Sequence, residues 1–254
     1  MSASGLRLES LLLSSRVEKI RHEPFSYFCI DNYVPQDTYQ EMLRGFPDKD
    51  QLVRSTAANK RMVSSRSHPE IVQDLFNQFP VWKRFFDLLN SEVFIRDVNR
   101  FLRRGLFKSR GLRGLKVWRD TSPVASSWLA KLIQPVQLQF EFSQLYRDSH
   151  IPPHTDSGSK LLSLCFYLAD SSWQDSYGGG TEFYRPKNSG LGNNWSNEES
   201  SFEEMDRFYL SGFAPNRMVG FLKSENSYHG VPPIKCPEGM ARNSLNINFL
   251  TLRS

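Results

Sequence analysis

The chain has 254 residues, of which 39% are hydrophobic and 13% aromatic, and its formal net charge is +5. This composition excludes wholesale disorder and allows a sizeable buried core. No apolar run approaches the ~20 residues that a membrane-spanning helix needs, and Leu11-Leu12-Leu13 is too short for a signal-peptide core. We therefore expect a soluble, cytoplasmic protein with no membrane contact. Cys165 lies in the apolar run 161–168, which predicts a buried thiol, and the three widely spaced cysteines, Cys29, Cys165 and Cys236, give no sign of a disulfide framework.

The first part of the chain, residues 1–115, is expected to form an α/β lead-in with supporting helices. A strand is predicted over residues 25–31, followed by a helix that begins near Pro35 and stops at Pro47. The polar stretch 51–68 predicts a loop with some extended structure. Apolar residues at helical spacing then predict helix from Pro69 to about Phe107.

Nine lysines and arginines fall within residues 96–119. One interpretation is a solvated helix face, because an apolar stripe with helical spacing runs through the same segment. The other is a surface for an anionic partner, such as a phosphate-bearing substrate, a nucleic acid or an acidic protein. The stretch lacks the alternation of aromatic and basic residues that stacks bases, which disfavours nucleic acid.

The remainder, residues 116–254, has the pattern of a β-rich core within the same domain. Short β-branched or aromatic runs separated by Gly, Pro, Asn and Ser predict strands over residues 136–142, 161–168, 181–184, 218–222 and 244–252. Several strands without long helices between them indicate an antiparallel sandwich or barrel. A long polar insertion, residues 186–216, interrupts the strands and is a candidate lid over a site.

A candidate metal site lies in the β-rich part. In a strand, residues i and i+2 face the same side, so His154 and Asp156 are expected to present an imidazole and a carboxylate together. His229 is a third candidate ligand, whereas His150 lacks a carboxylate two residues further on. Two imidazoles and one carboxylate indicate the facial triad of Fe(II) oxygenases, with zinc as the alternative metal.

The last predicted strand carries a polar row. Alternation places Arg242, Ser244, Asn246 and Asn248 on one face of this strand. Arg242 with Ser244 suits the binding of a carboxylate, since a guanidinium is always charged and can pair with it bidentately. Zinc would leave this row without a role, which favours iron together with a 2-oxo acid.

These motifs resemble the Fe(II)- and 2-oxoglutarate-dependent dioxygenases, and most closely their prolyl-4-hydroxylase-like branch. The resemblance covers residues 137–250. The motifs that carry it are Tyr146, Pro153-His154-Thr155-Asp156, Gly178-Gly179-Gly180-Thr181-Glu182-Phe183, Tyr228-His229-Gly230-Val231 and Arg242-Asn243-Ser244-Leu245. The resemblance implies a mainly β fold with flanking helices, whose core is a double-stranded β-helix (a jelly roll, cupin-like).

The resemblance also implies roles for individual residues. His154, Asp156 and His229 would bind Fe(II), and Arg242 would hold the distal carboxylate of 2-oxoglutarate, with Ser244 and Tyr146 assisting. The implied reaction is hydroxylation of an unactivated C–H bond by O2, with release of succinate and CO2.

The substrate has several candidates at this stage. A small molecule or biosynthetic intermediate, of which an anionic one would suit the basic stretch, comes first. A peptidyl or prolyl hydroxylase acting on a protein is the alternative that the family branch suggests. Nucleic-acid demethylation and a non-catalytic jelly-roll binding or sensor module are further alternatives.

Overall fold

Two antiparallel sheets with helices on the outside make up the protein in a computed structural model, which describes residues 5–55, 60–119, 132–188 and 197–251. The helices are α1 Leu13–Arg16, α2 Gln36–Arg44, α3 Pro69–Gln78, α4 Pro80–Leu89, α5 Glu92–Phe101 and α6 Arg103–Arg110. The strands are β1 Tyr27–Ile30, β2 Val53–Arg54, β3 Lys60–Ser64, β4 Val117–Arg119, β5 Ile133–Tyr146, β6 Ile151–His154, β7 Lys160–Tyr167, β8 Glu182–Pro186, β9 Met205–Leu210, β10 Met218–Leu222, β11 His229–Val231 and β12 Ala241–Thr251.

The larger sheet has eight strands in the order β1-β10-β7-β12-β5-β3-β2, with β4 pairing in parallel beside β5. The smaller sheet has four strands in the order β6-β11-β8-β9. Ring contacts join the two sheets. The ring centroid of Phe183 on β8 lies 5.0 Å from that of Tyr27 and 5.4 Å from that of Phe221, and both of these residues belong to the larger sheet. Two facing antiparallel sheets with flanking helices form the jelly-roll core that the resemblance implies.

The long strands β5 and β12 separate an apolar face from a polar one. On β12, Leu245, Ile247 and Phe249 are fully buried on the face that packs toward the helices. Trp82 and Phe85 of α4 supply the opposing side chains, and the Trp82 ring lies 5.0 Å from Phe142 of β5. The polar residues of the same strands face the smaller sheet, which leaves a polar space between the two sheets.

The predicted strands are confirmed; β5 extends beyond both of its expected ends, and β12 begins three residues earlier than expected. The helical stretch from Pro69 to about Phe107 is divided into four helices, because Pro80 begins α4 and the hydroxyl of Ser91 caps α5 at the amide of Phe94. The extended structure expected within the stretch 51–68 is present as β2 and β3, and β3 pairs with β5. The insertion 186–216 contains β9, which pairs with β8, while residues 189–196 lie outside the described part of the chain.

The basic stretch lies mainly on α5 and α6, at the outer surface. Arg96 pairs with Glu92 one turn earlier, and both side chains are more than half exposed. Arg103 and Arg104 are exposed as well. This arrangement fits the solvated helix face. Among the helices described, none has the length and apolar character needed to cross a membrane.

Phe140 tests how far the contact between β5 and the helices stabilises the fold. Its side chain is fully buried among the rings of Phe76, Phe85, Phe86 and Phe142. We expect Phe140→Ala to lower the free energy of unfolding by about 3–5 kcal/mol, because the cavity left behind cannot collapse fully. Urea denaturation measures this. Phe107→Ala, at a phenylalanine that is 50% exposed, should change stability by only about 0.5 kcal/mol, and equal effects would contradict the assignment of this core.

Candidate functional site

His154 and His229 lie opposite each other in the smaller sheet. Their strands, β6 and β11, are antiparallel neighbours, and the register pairs the two residues directly. Opposite residues of an antiparallel pair project to the same side of the sheet. The two imidazole rings therefore lie close together, with 4.3 Å between their centroids.

Asp156 completes the cluster from outside the strand. The prediction placed His154 and Asp156 on one continuous strand, but β6 ends at His154. Asp156 instead adopts a left-handed backbone conformation with φ of 66°, which aspartate tolerates better than most residues. Its carboxylate reaches both rings: Oδ1 is 3.7 Å from Nε2 of His154, and Oδ2 is 3.7 Å from Nε2 of His229. His154 and Asp156 therefore lie together as expected, but a turn after β6, and not the alternation of a strand, brings them together.

Hydrogen bonds on the far side of each ring orient the two histidines. Nδ1 of His154 lies 2.9 Å from the carbonyl oxygen of Pro152, and Nδ1 of His229 lies 2.9 Å from that of Ser227. A carbonyl oxygen only accepts, so each Nδ1 carries the proton and donates it. A ring whose only proton is on Nδ1 has a lone pair on Nε2, and the Nε2 of each histidine faces Asp156.

The charges of the cluster suit a cation. Burial, and next the neighbouring His154, lowers the pKa of His229 to about 3, so this ring is neutral near pH 7. Burial alone would raise the pKa of the Asp156 carboxyl, but the surrounding charges, first among them the Lys160 cation, outweigh it and hold this pKa well below its usual value. Metal binding needs neutral imidazole and ionised carboxylate.

Three ligand atoms of the cluster lie within 4.8 Å of one another. Two nitrogen lone pairs and a carboxylate that converge in a buried place repel each other unless a cation lies between them. Two imidazoles and one carboxylate on one side of a metal leave other positions open for a cosubstrate. The donor set therefore fits Fe(II), and the residues His154, Asp156 and His229 could hold it.

Two further side chains fix the Asp156 carboxylate. Nζ of Lys160 donates to Oδ1 at 2.6 Å, and the hydroxyl of Ser163 donates to Oδ2 at 3.0 Å. Sequence reasoning missed both residues. The signal for Ser163 was present, because it is a polar residue within the apolar run of β7 and therefore needs a partner when buried.

A cavity of about 250 Å³ lies between the sheets and reaches the cluster. His154, Asp156 and His229 line one side of it. The predicted polar row lines the other side, with Arg242, Ser244, Asn246 and Asn248. The structure thus brings the polar face of β12 and the three candidate ligands to one cavity.

Arg242 is a buried cation in this cavity, with only 3% of its surface exposed. Its Nε donates to the carbonyl of Gly179, and its Nη1 donates to the hydroxyl of Ser244 at 2.9 Å. The guanidinium also lies 5.2 Å from the ring of Tyr167. Within the described residues no carboxylate lies within 4.0 Å of Arg242, so a bound anion would supply the missing counter-charge.

Tyr146 does not join this cavity. Ser143 and Glu141 of β5 line the cavity, and because side chains alternate along a strand, Tyr146 faces the opposite side of the sheet. Its hydroxyl donates a hydrogen bond to Oε1 of Gln144. Tyr146 instead lines a second cavity, which lies at the surface. His150 is also elsewhere, exposed and in contact with the ring of Phe202.

Comparison with known proteins gives one family. Residues 140–250, which include all six predicted site residues, match the family model described as the 2OG-Fe(II) oxygenase superfamily. No curated protein matches the chain in sequence.

Solved structures with similar folds have low sequence identity. The non-heme alpha ketoglutarate dependent epimerase SnoN from nogalamycin biosynthesis aligns with a TM-score of 0.51 and 13% identity, covering 96% of this chain and 82% of SnoN. A prolyl-4-hydroxylase from Pseudomonas putida aligns with a TM-score of 0.46 and 14% identity, covering 96% and 98%. HygX from Streptomyces hygroscopicus, solved with nickel and 2-oxoglutarate, aligns with a TM-score of 0.46 and 12% identity, covering 98% and 89%. The similarity to SnoN shows a shared fold.

Ser163→Ala tests whether the partners of Asp156 prepare a metal site. Without the Ser163 hydroxyl, one carboxylate oxygen loses its fixed partner, and we expect affinity for Co(II) to fall about tenfold. Isothermal titration calorimetry measures this. Ser172→Ala is the matched control, since Ser172 makes the same kind of contact with Asp170 at an exposed position. Equal Co(II) affinities for wild type and Ser163→Ala would argue against this role.

Proposed function

We propose that this chain, whose residues 140–250 match the 2OG-Fe(II) oxygenase family model, uses Fe(II), 2-oxoglutarate and O2 to hydroxylate an unactivated C–H bond of a small molecule or biosynthetic intermediate. Succinate and CO2 would be the coproducts. The observation that carries the proposal is the convergence of His154, Asp156 and His229, whose ligand atoms lie within 4.8 Å of one another, at a cavity lined mostly by polar residues.

In this proposal His154, Asp156 and His229 hold Fe(II). Lys160 and Ser163 keep the Asp156 carboxylate in place, and the Pro152 and Ser227 carbonyls keep the two rings turned toward the metal. When bound, iron and 2-oxoglutarate supply the oxidising chemistry, and no nucleophile or dedicated general base is needed from the protein.

Arg242 and Ser244 bind the distal carboxylate of 2-oxoglutarate in the proposal. A buried guanidinium without a carboxylate partner in the described part of the chain supports this assignment, and the Ser244 hydroxyl already accepts a hydrogen bond from it. The rings of Tyr167 and Phe213 limit the space around Arg242 and exclude water from it. Tyr146 lines a different cavity and has no part in this assignment.

The size and lining of the cavity favour a small substrate. About 250 Å³ lies just below the usual range of small-molecule cavities, ~300–1,000 Å³, and most of its lining residues are polar. Asn246 donates to Glu141, while Oδ1 of Asn248 is buried without a hydrogen-bond partner in the described structure. A substrate with polar groups would satisfy such atoms.

Two of the alternatives receive no support. A non-catalytic module has no need for the complete donor set that an enzymatic family uses. Nucleic-acid demethylation was suggested by the basic stretch, but its residues on α5 and α6 do not line the cavity. A peptidyl hydroxylase continues to rest on the family branch alone.

His229→Ala tests the assignment of the metal ligands. We expect turnover of 2-oxoglutarate to succinate to fall at least about a hundredfold, because two ligands hold Fe(II) poorly. The measurement is succinate formed in the presence of Fe(II) and O2, with bound iron determined in parallel. His150→Ala, which removes an exposed imidazole, should retain both. Full turnover and full iron content in His229→Ala would show that the ligand assignment is wrong.

Arg242→Gln tests the assignment of the cosubstrate anchor. Removal of the buried charge should raise the KM for 2-oxoglutarate by about thirtyfold or more, the factor expected when a buried charge pair loses one partner. Arg242→Lys should give a smaller increase, because it keeps the charge but loses bidentate geometry. Iron affinity should change little in either variant. An unchanged KM in a folded Arg242→Gln protein would contradict the assignment.

A further inference from the structure

A second cavity, of about 590 Å³, opens at the surface beside the larger sheet and is called here the basic cavity. Its cationic lining residues are Lys49, Arg54, Lys60, Arg61 and Arg147. Among the residues that the structure describes, its acidic lining residues are Asp148 and Glu238, so positive charges exceed negative ones in this part of its wall. The ring of Tyr146 forms part of the same wall, with Nζ of Lys49 5.6 Å from its centroid.

Much of this positive charge is not neutralised by the protein. In the described ranges no carboxylate lies within 4.0 Å of Lys49, Arg54 or Arg61. Lys60 reaches Glu141 only at 4.0 Å. The field of three uncompensated cations around a concave surface attracts an anion and raises its local concentration.

Arg61 gives the basic cavity a fixed element. Its Nη1 donates to the carbonyl oxygens of Lys49 and Leu52 at 3.0 and 3.1 Å, and the side chain is half-buried. These bonds hold the guanidinium in place without removing its charge. Lys49 and Arg54 are exposed on either side of it, where they can adjust to a ligand.

Lys60 connects the basic cavity with the cavity that holds the candidate metal ligands. It lines both. Lys60 pairs with Leu145 of β5, so its side chain lies on the same face of the sheet as Glu141 and Ser143. That face borders the polar space between the two sheets. A molecule bound against Lys60 therefore lies beside both cavities.

We infer that the substrate carries an anionic group, a carboxylate or a phosphate, which binds in the basic cavity while the group to be oxidised extends past Lys60 toward the metal site. This inference rests on the proposed oxygenase function. It identifies the basic cavity, and not the basic stretch on α5 and α6, as the source of selectivity for anions.

The test uses the enzyme loaded anaerobically with Fe(II) and 2-oxoglutarate. Inorganic phosphate and benzoate serve as probes, one for each kind of anion. Binding of phosphate is followed by its ³¹P line width, and binding of benzoate by saturation transfer from the protein. We expect at least one of the two anions to bind, and the one that binds identifies the anionic group.

Variants distinguish anion binding in the basic cavity from weak attraction of anions to positive charge elsewhere on the surface. Lys49→Ala/Arg54→Ala removes two exposed charges, so the protein should fold, and anion affinity should fall about tenfold. Lys49→Arg/Arg54→Lys keeps the charges and should bind as wild type does. Arg103→Ala removes an exposed charge on α6, outside the cavity, and should also leave affinity unchanged.

Equal anion affinity in wild type and Lys49→Ala/Arg54→Ala would overturn the inference, as would a wild-type enzyme that binds Fe(II) and 2-oxoglutarate but neither anion. The second result would leave the proposed oxygenase function standing. Failure of the same sample to bind Fe(II) and 2-oxoglutarate would instead overturn the proposed function, and the inference with it.

Discussion

A buried carboxylate held between two imidazoles is the arrangement on which the site depends. Asp156 and His229 are both inside the protein, and the hydrogen bonds to Pro152 and Ser227 turn the nitrogen lone pairs of the rings toward the carboxylate. Such a cluster is unfavourable without a positive charge at its centre, because burial removes the water that would solvate it. Lys160 supplies part of that charge from one side. The remaining position suits a divalent cation.

The jelly-roll topology supports this arrangement through the alternation of its strands. The apolar faces of β5 and β12 pack against the helices, and their polar faces turn toward the smaller sheet. The smaller sheet carries His154 and His229 on paired strands, so the polar space lies next to the candidate ligands. The helices support the site indirectly, because they stabilise the larger sheet that holds Arg242 and Ser244 in position.

The sequence predicted much of this site because its signals are short-range. The alternation Arg242, Ser244, Asn246, Asn248 is visible in one strand, and all four residues line the cavity. Other features depend on long-range contacts. Lys60 belongs to a polar strand with no clear pattern, and only its pairing with β5 brings it to the cavity. The expected strand over Asp156 is wrong in detail, since alternation does not reveal a left-handed turn. Tyr146 was predicted to assist cosubstrate binding because of a family motif, but the register of β5 against β12 places its side chain on the face of the sheet that points away from the cavity.

Anaerobic visible spectroscopy tests most directly whether the three ligands and the cosubstrate anchor form one oxygenase site. Addition of Fe(II) and 2-oxoglutarate together should produce the weak charge-transfer band of the chelate, and neither component alone should produce it. Asp156→Ala should show no band. The absence of a band in folded wild-type protein that has bound Fe(II) would contradict the assignment of 2-oxoglutarate to this site.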